Sequence, residues 1–67
     1  MQTNGLRFID IRIDEITKAA ALLRRNVDLQ EWTALESNLR YVAAKAETAL
    51  TKLREMQQAW IDEMDAL

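Results

Sequence analysis

Arg24-Arg25-Asn26-Val27-Asp28-Leu29-Gln30-Glu31-Trp32 separates two amphipathic segments, and how it is read decides whether the chain is one rod or two. Asn26 is a residue type that can take the left-handed conformation ending a helix. Asp28 reads as an N-cap, with Glu31 three residues on to complete a capping box and Val27 and Trp32 at the staple positions on either side. Those signals predict a tight turn over 26–28.

Working outward, the upstream segment places Ile9, Ile13, Ile16, Ala20 and Leu23 at the 4-3-4-3 spacing of a helix seam. Phe8 to Asp14 also alternates apolar and polar residues, the pattern of a strand. A lone strand in so short a chain has no partner, however, and the helical phase continues to Leu23, so a helix over about 6–25 is expected. Asp10, Asp14 and Glu15 then lie toward its start and Arg24 and Arg25 at its end, as the helix dipole favours. Met1 to Gly5 reads as a polar lead-in. Downstream, Trp32, Leu35, Leu39, Val42, Ala46, Leu50, Leu53, Trp60, Met64 and Leu67 mark a longer stripe. No glycine or proline interrupts it, which predicts a helix over about 29–66.

The expected fold is therefore all-α: an antiparallel two-helix hairpin, short helix then long, forming a single domain over residues 1–67. Folding about 26–28 pairs Leu23 with Trp32, Ala20 with Leu35, Ile16 with Leu39, Ile13 with Val42 and Ile9 with Ala46. Beyond Ala49 the first helix has run out. Leu50, Leu53, Met56, Trp60, Ile61, Met64 and Leu67 are then left as a dimer interface, and a homodimeric four-helix bundle is the expected assembly.

Composition narrows the function. The chain has 67 residues, no cysteine and no histidine, so disulfides and the commonest zinc ligand are absent. A chain this small commonly needs a metal, a disulfide or a second subunit to be stable, and oligomerisation is the route left. A net charge of −2 argues against a nucleic-acid or anionic-membrane binder, which needs clustered Lys and Arg. No run approaches a membrane span and no signal-peptide pattern opens the chain, so a soluble, cytoplasmic protein is expected. No cofactor, metal site or small-molecule substrate is expected. Tyr41, off the seam and beside Arg40 and Lys45, has the composition of an interface hot spot, and Trp60 is a second candidate anchor. The acidic group Asp62, Glu63 and Asp65 opposes the helix dipole, which suits a basic partner or a solvated end.

Arg7 and Arg24, set in Leu6-Arg7 … Ile13-Asp14 … Leu22-Leu23-Arg24, resemble the opening helix of the all-helical chorismate mutases. That resemblance implies an arginine clamp for a dicarboxylate, yet where the family supplies its remaining site residues this chain has Leu35, Glu47 and Thr48. In size, composition and short-helix/long-helix layout the chain is also similar to small phage-encoded inhibitors of host regulators, such as quorum-sensing antiactivators and anti-CRISPR proteins. That likeness implies a host protein as target and carries over no functional residue. The expected function is a non-enzymatic protein–protein interaction module, a homodimer that binds and inhibits another protein. A coiled-coil spacer and a chorismate-mutase-like fragment are the alternatives.

Overall fold

The computed structural model describes residues 3–65, with side chains from residue 4. It is a helical hairpin of α1 (Thr3–Asp28) and α2 (Trp32–Asp65), packed against each other. Among the described residues there is no strand. Phe8–Asp14 is helical, because its alternation is outweighed by a seam that runs in phase through the whole of α1. The first helix starts earlier and ends later than 6–25, so Asn4 and Gly5 lie inside it.

The turn sits three residues beyond its expected place. Asp28 is the last residue of α1, and the left-handed residue is Gln30, with φ 55°. The Glu31 amide donates to the Asn26 carbonyl at 2.8 Å and the Gln30 amide to the Val27 carbonyl at 3.1 Å. These are the two reverse bonds of a Schellman cap, with Gln30 in the position usually held by glycine. Glu31, whose carbonyl accepts from the Leu35 amide at 2.8 Å, opens α2. Val27 and Trp32 are both exposed and form no closed staple.

Asn26 does not end the helix because its side chain is used across the hairpin. Its Nδ2 donates to Glu31 Oε1 at 3.3 Å, and its Oδ1 accepts from Asn38 Nδ2 at 2.7 Å. Asn26 is 6% exposed. An amide so buried stands only when it is hydrogen-bonded, and both bonds require the chain to turn after it.

The seam between the arms follows a strict 4-3 spacing but not the most apolar one. On α1 it comprises Gly5, Ile9, Arg12, Ile16, Ala19, Leu23 and Asn26; on α2, Leu35, Asn38, Val42, Lys45, Ala49, Lys52, Met56 and Ala59. Each is buried or half-buried. Glu15 pairs with Lys45 at 3.0 Å, and Met56 lies against Gly5. A Cβ at Gly5 would stand 2.6 Å from Met56 Sδ, so the missing side chain leaves room for the methionine to lie against the helix. The pairing is thus displaced from the expected one by nearly two helical turns: Ile16 is level with Lys45 instead of Leu39. Met56, expected without an intramolecular partner, has one.

A seam so polar buries little. Only Gly5, Ala19 and Asn26 are buried among the described residues. The radius of gyration is 16.2 Å and the Cα extents are 56 × 16 × 11 Å, against about 11 Å expected for a globular chain of this length.

Candidate protein-interaction faces

Seven-residue steps along each arm return to the same side of the seam. On α1, Leu6, Ile13, Ala20 and Val27 fall on one side; on α2 the corresponding line is Trp32, Leu39, Ala46, Leu53 and Trp60. The two lines lie on the same side of the hairpin. A groove there is walled by Ala20, Leu23, Val27, Leu35 and Leu39 with Arg24 and Asp28 at its edge, and a shallower one on the outer shoulder of α2 is walled by Trp32, Leu39 and Ala43 with Glu36 and Arg40. Every residue of both lines is exposed, among them Ile13 at 52%, Trp32 at 64% and Trp60 at 63%. Leu50 and Met64 continue the band over the shoulder, also exposed.

The opposite side carries different chemistry. Its lines are Phe8, Glu15 and Leu22 on α1 and Tyr41, Thr48 and Glu55 on α2; Glu15, Leu22 and Tyr41 share one cleft, and Phe8, Thr48 and Glu55 another. At its centre Glu15 collects three partners. Its Oε2 accepts from the Tyr41 hydroxyl at 3.1 Å and meets Lys45 Nζ at 3.0 Å, while its Oε1 lies 2.5 Å from Arg12 Nε. The last two charges face each other without hydrogen-bond alignment. The Lys45 ammonium donating to its carboxylate holds Glu15 below the usual glutamate range against an opposing cost of desolvation, with Tyr41 and Arg12 helping. Lys45 also sits 5.2 Å from the Tyr41 ring centre, and Arg12 and Lys52 flank Phe8 at 4.8 and 5.4 Å. Such cation–aromatic contacts let long basic side chains cross the seam with their stems packed and their heads wet.

The expected partner-binding residues divide between the two sides. Tyr41 and Lys45 belong to the polar side, where both are engaged with Glu15. Arg40 borders the groove with Trp32 and pairs with Glu36 on the surface at 3.0 Å. Trp60 is on the apolar side. Of the expected dimer residues, Leu50, Leu53, Trp60, Ile61 and Met64 are exposed, Met56 is in the seam, and Leu67 lies outside the described residues. Leu6, Ile13, Val27 and Leu39 complete the apolar side; their seven-residue spacing was the signal in the sequence that could have found them. Arg7 and Arg24 are seventeen positions apart on one helix, about 25 Å along its axis, and do not converge within the chain. Among the described residues no group of three acidic side chains is gathered to hold a metal, and no helix is long and apolar enough to cross a membrane.

No family model matches the chain, and comparison with curated proteins and with solved structures finds no match.

Proposed function

We propose that this chain is a non-enzymatic protein–protein interaction module, working as a homodimeric helical bundle that binds a second protein and inhibits it. One observation carries the reading: exposed apolar side chains repeat every seven residues along one side of both arms, while the centre of the other side is hydrogen-bonded and ion-paired. Fully burying a large apolar side chain is worth roughly 1.5–3 kcal/mol, and a marginally stable domain has only about 5–15 kcal/mol in hand. A hairpin with almost nothing buried gains its stability by placing that band against protein. The likeness to small phage-encoded inhibitors in size and layout suggests that the second partner is a host regulator. Asp62, Glu63 and Asp65, near the end of α2, suit a basic surface on such a target.

Affinity capture from the native host tests this. A protein recovered in stoichiometric amount, and lost when the band is charged by Leu53→Glu, is the expected result. Recovery of nothing but the chain itself overturns the inhibitor reading in favour of a coiled-coil spacer.

A further inference from the structure

The apolar side has one occupant that its own dimensions select. We propose that it is closed by the same side of a second copy of the chain, face to face about a two-fold axis. This deepens the reading of the chain as an interaction module and rests on it, but moves the contact from the C-terminal surplus of α2 to the whole flank of the hairpin.

Area is the first argument. The chain exposes 5524 Å², whereas a folded monomer of 7.8 kDa is expected to expose about 4,400 Å². The excess of about 1,100 Å², spread over the whole of the elongated hairpin, leaves room for the roughly 800 Å² that one partner contributes to a stable protein dimer. A second hairpin supplies a flat surface two helices wide and equally long, which a single docked helix or a small ligand does not.

Self-complementarity is the second. Two-fold symmetry requires the face to fit itself, so large side chains must find small ones. Turned end over end about residue 48 of α2, the face sets Ala43 against the partner's Leu53 and Ala46 against the partner's Leu50. Turned about its long axis, it sets Ala20 against the partner's Leu39 and Ala46 against the partner's Ile13. Either operation fills alanine gaps with leucine or isoleucine, as close packing demands. Charges of both signs line the outer shoulder (Glu36, Arg40, Glu47, Arg54), as at the rim of an interface.

The dimer so formed leaves the Tyr41–Glu15–Lys45 side facing outward, which makes it the surface open to a foreign protein.

Sedimentation equilibrium of the full chain, with circular dichroism to follow helix content, tests the assignment. The wild type is expected as a dimer at micromolar concentration. Leu39→Glu and Leu53→Glu each raise the dissociation constant at least a hundredfold, while Leu22→Glu, on the opposite side, changes it less than threefold. Because charged variants could lose structure, Leu39→Ala provides a milder arm, weakening the dimer about tenfold with helix content retained at high concentration. A monomeric wild type overturns the self-closure and, with it, the homodimer of the proposed reading; the capture experiment then decides separately whether the chain binds a second protein. A dimer insensitive to Leu39→Glu and Leu53→Glu but broken by Leu22→Glu overturns the choice of face alone.

Discussion

The two flanks of the hairpin are built from the same two helices, and each repeats every seven residues, yet one is closed upon itself and the other is not. On the polar flank Tyr41 and Lys45 reach across to Glu15, and Arg12 and Lys52 close over Phe8. On the apolar flank Ile13, Leu39, Leu53 and Trp60 are all exposed, and Trp60 keeps 63% of its surface open to water. Polar groups can be satisfied by one partner each, reached from the neighbouring arm. A leucine is satisfied only by enclosure, and two rods side by side enclose nothing but the line between them. The hairpin therefore pairs polar groups between its arms and leaves most of its large apolar side chains exposed.

That contrast can be attacked from either flank. The largest effect is expected where burial is to be shared: with Leu39→Glu and Leu53→Glu combined, thermal unfolding should shift down strongly and cease to depend on protein concentration, whereas the wild-type midpoint rises with it. A wild-type midpoint independent of dilution would break the comparison. Next comes the seam. Asn26→Ala removes the acceptor of Asn38 and the donor to Glu31, and an unsatisfied buried polar group costs about 1–3 kcal/mol, to be read from urea unfolding. At the turn, Gln30→Gly relieves a left-handed residue and should stabilise by about 0.5–1 kcal/mol, the left-handed penalty less the added freedom of the unfolded chain. A destabilised variant would show that the Gln30 side chain has contacts worth more than the strain.

The smallest effects lie on the closed flank. Tyr41→Phe keeps the ring under Lys45 and removes only the hydroxyl donor to Glu15, for about 0.5 kcal/mol at this exposed site. Acid should erase the Glu15 contribution. Its carboxyl is held below the ordinary value, so the unfolded chain takes up the proton first. The stabilisation is whole above the ordinary glutamate pKa of about 4.3 and is lost as pH falls through the lower folded value. The stability difference between wild type and Glu15→Gln, followed by urea unfolding from neutral pH downward, should accordingly shrink below about pH 4.

The helical hairpin was legible from periodicity and from the absence of breakers, and so was the apolar stripe. What the stripe faces was not. Ile9, Ile16, Leu23, Leu35 and Val42 are half-buried in the seam as expected, because they sit where both stripes overlap. Ile13, Ala20, Leu39, Ala46 and Trp60 lie to one side of it, displaced by Arg12, Ala19, Asn38, Lys45 and Ala59. Hydropathy ranks Lys45 and Arg12 as surface residues, although their aliphatic stems pack well enough to line a two-helix seam. The turn was misplaced for a related reason: Asn26 and Asp28 have the composition of a helix end, and nothing local shows that Asn26 is claimed by Asn38, twelve residues away. Tyr41, singled out as an interface residue from its composition, sits at the hairpin edge with its hydroxyl donating to Glu15.

The amide rung between Asn26 and Asn38 also acts as a ratchet tooth. Lys45 and Lys52 stand seven residues apart, so sliding the arms by one heptad still gives Glu15 a lysine to meet. Slid the other way, the chain would fold about 26–28, with Ile13 over Val42 and Ile16 over Leu39, a greasier hairpin that spends its leucines internally. The asparagines have no mates in that alternative. The amide pair thus belongs to the observed register alone, the one in which Leu39 and Leu53 stay on the outside.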